Sequence, residues 1–211
     1  KRNMEHELQT PLGIIRCGFY NDSIANSTKK TAYKNGCSES FMTVGHKIEI
    51  VSFKIRQPLY NGETVVDTNA WIFRIEKNND IKEDIETYCL FEKNCDNVEF
   101  DISAGEHLDS IQAENKDWTL HIGTEDGEML NSRAANNDWY PKRLENKVEA
   151  YQSITDTRQN GFTTKIPSLN IGEKIHIQYL TAYDKKDNNK VNTWLAVDES
   201  IRNLENWIGL T

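Results

Sequence analysis

The sequence predicts an all-β protein built from antiparallel strands. Apolar and polar residues alternate with a period of two in segments such as 46–55 and 174–183, which is the pattern of a strand with one buried face. Asn-Gly pairs that begin at positions 35, 61 and 160 lie between such segments, and this dipeptide favours tight turns between antiparallel strands. Helical periodicity is scarce, so the fold class follows from many independent strand signals.

Taken in order, the same alternation predicts the positions of the strands. The predicted strands are 12–18, 46–55, 64–75, 85–91, 98–102, 107–113, 117–123, 147–154, 162–166, 174–183 and 191–197. Residues 131–143 fit neither periodicity and are predicted to form a long loop that can include one helical turn. Near the end of the chain, Ser200 can cap a short helix in which Ile201, Leu204 and Ile208 share one face.

Two segments of the chain resemble each other. Val44-Gly-His-Lys-Ile-Glu-Ile and Ile171-Gly-Glu-Lys-Ile-His-Ile share a Gly, a Lys and two Ile, and a turn and then Trp71 or Trp194 follow. We therefore predict two tandem β-sandwich modules, 1–103 with all four cysteines and 104–211 with the C-terminal helix. In that case the two tryptophans occupy equivalent inward positions. If the match is coincidental, one large sandwich or jelly roll replaces the two modules.

Charge and motifs restrict the classes of function. The chain has 33 acidic and 25 basic side chains and a net charge of -8, which opposes binding to nucleic acid or to anionic lipid. No stretch approaches the roughly 20 apolar residues that a membrane span needs, so we expect no membrane insertion. The sequence contains no GxSxG, HExxH, P-loop or GxGxxG motif. An enzyme is therefore disfavoured, and a hydrolase with carboxylates on strands is the third candidate.

The segment His6-Glu-Leu-Gln-Thr-Pro-Leu resembles the phosphoacceptor box of sensor histidine kinases and differs from its usual form at Gln9. In that family the box lies on a long helix, whereas Gly13, Gly18 and Asn21 interrupt a helix here. No downstream segment resembles the nucleotide-binding boxes. We therefore predict that the likeness is coincidental.

The cysteines predict disulfides rather than a metal site. They are Cys17, Cys37, Cys89 and Cys95. None lies in a CxxC pair or beside a histidine at zinc-finger spacing. Three connectivities are possible, and we favour Cys17 with Cys37 and Cys89 with Cys95 because each bond closes a short loop.

Two Asn-X-Ser/Thr triplets, at Asn21 and Asn26, are possible N-glycosylation sites in a polar stretch. Together with the predicted disulfides they favour a secreted protein that is extracellular or attached to the cell surface.

One acidic turn offers oxygen ligands for a possible Ca²⁺ ion. Its candidate ligands are Asp184, Asp187, Asn188 and Asn189. The alternative is a solvated turn, because Asp and Asn are common turn residues.

Trp139 and Tyr140 lie in a polar segment beside Asn137 and Asp138. A flat ring next to amide and carboxylate groups can stack on a sugar and bond to its hydroxyls. Alternatively, both rings fill the end of the sandwich. We predict a non-enzymatic, lectin-like recognition protein whose ligand is a glycan. The runner-up is a structural or assembly subunit that contacts another protein or copies of itself.

Overall fold

The computed structural model describes residues 2–21, 23, 27–94, 96–104, 108–145, 153–186 and 190–210. Within these residues there are thirteen strands. They are β1 (Arg2–Thr10), β2 (Gly13–Asn21), β3 (Ser27–Tyr33), β4 (Gly36–Met42), β5 (His46–Phe53), β6 (Asp67–Lys77), β7 (Glu86–Lys93), β8 (Glu99–Ala104), β9 (Leu108–Glu114), β10 (Trp118–Glu125), β11 (Thr155–Arg158), β12 (Gly161–Lys165) and β13 (Lys174–Lys185).

The strands form two antiparallel sheets, which confirms the predicted all-β sandwich. The smaller sheet has the order β1-β2-β7-β12-β11, and the larger one has the order β3-β4-β5-β6-β13-β10-β9-β8. Large side chains from both sheets fill the space between them, among them Phe19 and Phe91 from the smaller sheet and Trp71, Phe73 and Tyr179 from the larger one. Burying each such ring contributes about 1.5–3 kcal/mol.

Three helices accompany the sheets: α1 (Gly127–Ala135), α2 (Lys190–Val197) and α3 (Ile201–Ile208). A short 3₁₀ helix covers Lys142–Leu144. Helices α2 and α3 cover the outer face of the larger sheet, where Val197, Leu204 and Ile208 belong to a second apolar cluster. None of the helices in the described ranges is both long and apolar enough to cross a membrane.

The C-terminal helix is confirmed in detail. The Ser200 hydroxyl accepts a hydrogen bond from the Asn203 amide, and Ile201, Leu204 and Ile208 are the buried face of α3. Gly209 ends the helix in the left-handed conformation, with φ of 74°, which glycine adopts without a steric penalty.

One prediction of secondary structure was wrong, and another was incomplete. Residues 191–197 form α2 rather than a strand, and their buried positions at 192, 193, 196 and 197 have helical spacing. The run of apolar residues from Trp194 to Val197 fits either structure, so periodicity alone did not decide. The predicted loop 131–143 contains the second half of α1, whose start is capped by Asp126.

Several strands were not predicted, because one or both of their faces are polar. Strand β3 is exposed along most of its length, and β11 has three exposed residues. Strand β1 places His6 opposite Cys17 of β2, so the kinase-like box begins in an extended strand rather than on a helix. The predicted strand 147–154 lies mostly outside the described residues.

The two halves of the chain share both sheets. Strand β6 pairs with β13 and β7 pairs with β12, so a division into modules near residue 103 is not confirmed. Trp71 is buried on β6, whereas Trp194 lies on α2, and the predicted equivalence of the two tryptophans is therefore wrong.

The two matched segments occupy related places in the larger sheet. Strands β5 and β13 flank β6 on either side, and Ile48 and Ile175 both pair with Ile75. Ile50 and Ile177 likewise both pair with residue 73. Both segments therefore pair with the same stretch of β6, one on each side.

The predicted bond between Cys17 and Cys37 is wrong. Cys17 is buried on β2 opposite Cys89 of β7, whereas Cys37 is exposed on β4 of the other sheet. All three thiols are free. Burial raises the pKa of the Cys17 thiol, and the hydrogen bond with Cys89 raises it further. Cys95, the other partner predicted for Cys89, lies outside the described residues.

Candidate functional site

The aromatic segment 136–141 is positioned by the junction between β10 and α1. Strand β10 ends at Glu125, and α1 begins two residues later. The Asp126 carboxylate accepts a hydrogen bond of 2.8 Å from the Met129 amide, which satisfies one of the free donors at the start of the helix. Helix α1 buries Leu130 and Arg133, so that Arg133 is brought back towards the end of β10.

Arg133 holds the loop that follows the helix. Its guanidinium pairs with Glu125, and the two side chains are only 4% and 7% exposed. The same guanidinium donates to three backbone carbonyls: those of His176 at 3.0 Å, Asp138 at 3.2 Å and Trp139 at 3.2 Å. The Trp139 carbonyl also accepts from the backbone amide of His176 at 2.9 Å. The loop is therefore fastened to strand β13.

The backbone of this loop adopts a costly conformation. Asn137 and Trp139 have φ angles of 51° and 47° and are the only non-glycine residues with positive φ in the described part of the chain. A side chain in this region costs about 1–3 kcal/mol, and such conformations cluster at binding sites. The hydrogen bonds from Arg133 offset part of that cost.

The Trp139 ring is half-buried and has two cations close to it. The Arg74 guanidinium is 4.7 Å from the ring centroid and the Lys174 ammonium is 5.3 Å from it. Arg74 is itself held by Glu205 of α3 at 2.5 Å. Cation–π contacts of this kind stabilise the ring position by about 0.5–2 kcal/mol.

The exposed part of Trp139 lines a groove of about 570 Å³, which we call the Trp139 groove. Its polar walls are formed by Asn137, Lys142, Arg143, Glu173 and Lys174. Sites for small ligands generally have volumes of about 300–1,000 Å³. The groove is therefore large enough for one or two sugar rings.

One wall of the Trp139 groove is fixed by an ion pair. Arg143 donates to the Glu173 carboxylate at 2.7 Å and to the Ser168 carbonyl at 2.6 Å. Glu173 also accepts from the backbone amide of Asn170 at 2.7 Å. The Arg143 guanidinium lowers the pKa of Glu173. The 3₁₀ helix is thereby tied to the loop that leads into β13.

The structure divides the predicted ligand residues into two kinds. Asn137, Asp138 and Trp139 keep at least part of their surface exposed, and Asn137 and Trp139 line the groove. Tyr140 is only 1% exposed and belongs to the core between the sheets. Burial raises the pKa of Tyr140 to about 12. The interpretation that a ring fills the end of the sandwich therefore applies to Tyr140.

The predicted metal ligands receive no support from the residues that the structure describes. Asp184 is buried, and its carboxylate accepts from the adjacent Lys185 amide at 2.8 Å. Asp187, Asn188 and Asn189 lie outside the described residues. No group of three or more possible His, Cys, Asp or Glu ligands occurs in the described ranges.

Asn21 is only 1% exposed, and its carboxamide oxygen accepts from the Ser23 amide at 2.6 Å. A carboxamide buried in this way is not accessible to a glycosylating enzyme in the folded protein. Asn26 lies outside the described residues.

Sequence reasoning missed the charged residues that surround the aromatic pair. Arg133 lies six residues before Trp139, and Lys142 and Arg143 follow shortly after it. Three basic residues around an aromatic pair in an acidic chain were a usable signal. The contributions of Arg74 and Lys174 depend on strand pairing and had no local signal.

No family model matches the chain, and no curated protein matches it.

Proposed function

We propose that the protein recognises glycans, without catalysis, through the Trp139 groove. The observation that carries the proposal is a half-exposed indole ring held in a left-handed backbone conformation by a buried arginine. An ordered aromatic ring offers a sugar a flat apolar surface. Because Arg133 fixes the loop in advance, little conformational entropy is lost when a ligand binds.

The polar groups of the groove complement the ring. Asn137 offers an amide, Glu173 a carboxylate, and Lys142 and Lys174 offer ammonium donors. A few polar groups around one apolar surface are typical of sites that orient a small polar ligand. An extracellular or cell-surface location is part of the same proposal, because glycans are displayed there.

A glycan array tests the proposal directly. The wild-type protein is labelled and applied with and without EDTA, which tests the possible role of Ca²⁺ as well. We expect binding to at least one glycan class and its loss in Trp139→Ala, because the variant lacks the stacking surface. Absence of binding on a broad array, or wild-type binding by Trp139→Ala, would refute the proposal.

The matched control removes an aromatic ring elsewhere on the surface. Tyr60 is 77% exposed and lines a second groove of about 620 Å³ beside α3. Tyr60→Ala should bind glycans like the wild type. If Tyr60→Ala loses binding and Trp139→Ala keeps it, the ligand occupies the second groove instead. Circular dichroism of both variants shows whether each is folded.

A second candidate function is assembly with copies of the same chain through sheet edges. The edge strand β3 carries the exposed side chains of Lys29 and Lys30, and the opposite edge strand β8 carries those of Glu99 and Asp101. Opposite charges on opposite edges favour head-to-tail pairing of sheets, which produces open chains rather than closed dimers.

Light scattering at increasing protein concentration tests this second candidate. Assembly should increase at low ionic strength and decrease in Lys29→Glu. A monomer at all concentrations and salt levels would exclude it.

A further inference from the structure

The Trp139 groove differs in charge from the rest of the protein. Three basic residues, Lys142, Arg143 and Lys174, line it together with one acidic residue, Glu173, which gives an excess of two positive charges. The whole chain carries a net charge of -8. A positive groove in an acidic protein indicates a ligand with negative charge.

Two other grooves of similar size lack this excess. The groove beside α3 is lined by one basic and one acidic residue, Arg56 and Glu199. A third groove, of about 630 Å³ beside His46, is lined by two lysines and by three acidic residues, Asp80, Glu83 and Asp84. Among these three grooves, positive charge is therefore concentrated where the indole ring is exposed.

The basic residues of the Trp139 groove have different roles. Arg143 is occupied by the Glu173 carboxylate and shapes the wall. The Lys174 side chain is 45% exposed, and its ammonium lies 3.6 Å from Glu76 and 5.3 Å from the Trp139 centroid. Lys142 is exposed at the start of the 3₁₀ helix. Both lysines therefore line the groove that the ring also lines.

We infer that the groove takes an anionic glycan, a sugar with a carboxylate or sulfate group, that stacks on Trp139 while Lys142 and Lys174 bind the anion. The inference rests on the proposed glycan function and specifies its ligand class. An extended nucleic acid fits less well. It needs a basic surface that follows several phosphates, and three basic residues in one groove do not provide one.

Titration of the whole chain with four kinds of oligosaccharide or polymer tests the inference. The probes are oligogalacturonate for carboxylates, heparin-derived oligosaccharides for sulfates, cello-oligosaccharides as neutral sugars, and oligo-dT. The wild type should bind one of the two acidic probes more tightly than the neutral one. That binding should weaken as NaCl rises, because the ion pairs are exposed and screened.

The double variant Lys142→Gln/Lys174→Gln should lose on the order of tenfold in affinity for the acidic probe, as expected for two exposed charge contacts. The matched control is Lys29→Gln/Lys34→Gln, which removes the same charge at exposed positions on β3 and its turn. The control should bind like the wild type. Equal losses in both double variants would overturn the inference, because the effect would then come from net charge alone.

The outcomes separate the inference from the proposed function. If cello-oligosaccharides bind as well as the acidic probes and Trp139→Ala abolishes binding, the anionic class is wrong and glycan recognition stands. If no sugar binds, both proposals fail. Tighter binding of oligo-dT than of every sugar would overturn the inference in favour of nucleic acid.

Discussion

Two buried side-chain pairs of equal exposure hold two loops of this protein by opposite means. One is the ion pair of Arg133 and Glu125, and the other is the hydrogen-bonded pair of His46 and Glu83. In the first, Arg133 and Glu125 are 4% and 7% exposed. In the second, His46 and Glu83 are also 4% and 7% exposed. The first pair holds the loop 136–141, which we call the Trp139 loop. The second holds the segment around Glu83 against the turn before β5.

The central group of the first pair is a cation. Arg133 has one carboxylate partner. Its other hydrogen bonds go to backbone carbonyls, including those of Asp138 and Trp139. A guanidinium keeps its charge at every pH at which proteins fold. The loop that carries the proposed binding ring is therefore held by a cation that donates hydrogen bonds to its backbone.

The central group of the second pair is an anion. The Glu83 carboxylate accepts from the Ser23 hydroxyl, from the Thr43 hydroxyl at 2.5 Å, from the Gly45 amide at 3.0 Å and from His46 Nδ1 at 2.9 Å. Burial alone would raise the pKa of Glu83, but hydrogen bonds from Ser23, Thr43 and His46 outweigh burial and lower the pKa to about 2. The hydrogen bonds to Glu83 therefore weaken when its carboxylate is protonated.

The largest expected effect is the loss of the cation from the first pair. Arg133→Ala leaves the Glu125 charge buried without a partner and frees the Trp139 loop. We expect a loss of about 3–5 kcal/mol in the free energy of unfolding, measured by urea denaturation. Arg143→Ala is the control, because Arg143 forms an exposed pair whose loss costs about 1 kcal/mol or less. Equal losses of unfolding free energy in the two variants would show that Arg133 contributes no more to stability than the exposed Arg143.

The next effect concerns the anion of the second pair. Glu83→Gln keeps the size of the side chain but removes the charge that strengthens its hydrogen bonds. We expect a loss of about 1.5–3 kcal/mol in the free energy of unfolding at pH 7. Because the pKa of Glu83 is lower in the folded state, its charge stabilises the fold above pH 4.5 and that contribution fades as the pH falls towards 2.

Urea denaturation at pH 7, 4.5 and 3 follows this contribution. The difference in the free energy of unfolding between the wild type and Glu83→Gln should become smaller from pH 4.5 to pH 3. A difference that stays constant over this range would contradict the assigned role of the carboxylate.

One buried histidine lies at each of the two pairs, His176 beside Arg133 and His46 beside Glu83. We expect both to lower the stability of the fold in mild acid. Burial lowers the pKa of His46. Burial, followed by the charges of Arg133 and Arg74, lowers the pKa of His176 well below 6.5, while Glu205 lies 3.8 Å from its ring. The unfolded chain then binds more protons than the folded one near pH 6, so stability is present above about pH 6.5 and is lost as the pH falls.

We expect His176→Gln to reduce the fall in Tm between pH 7.5 and 5.5 more than His46→Gln does, because His176 is completely buried and faces two guanidinium groups. Each 1 kcal/mol corresponds to about 2–4 °C in a chain of this size. Thermal unfolding followed by circular dichroism measures the effect. An unchanged pH profile in His176→Gln would contradict it.

The sequence predicted the parts of the fold that depend on local pattern. Strands such as β6 and β13 alternate clearly or carry long apolar runs, and Ser200, Ile201 and Leu204 form a recognisable capped helix face. Sheet order could not be predicted, since pairing between β6 and β13 joins residues about a hundred positions apart. The two segments that look alike in sequence, in β5 and β13, turned out to share β6 as their partner strand.

For the site, the sequence identified the aromatic loop but not what fixes it. Trp139 was predicted from its polar neighbours, and Tyr140 could not be separated from it because adjacent residues have the same local context. Arg133, which fixes the loop, lies in a stretch predicted to be irregular. Only the folded structure shows its ion pair with Glu125, because α1 brings Arg133 back to the end of β10.

The smallest expected effect comes from the backbone strain in the Trp139 loop. Left-handed non-glycine residues occur in the Trp139 loop alone among the described parts of the chain. Asn137 has φ of 51°, and asparagine tolerates this conformation better than alanine does. We expect Asn137→Ala to lose about 1 kcal/mol in the free energy of unfolding and Asn137→Gly to stay within about 0.5 kcal/mol of the wild type. Urea denaturation of both variants measures the difference, and a variant with alanine as stable as the one with glycine would show that the backbone at this position is not strained.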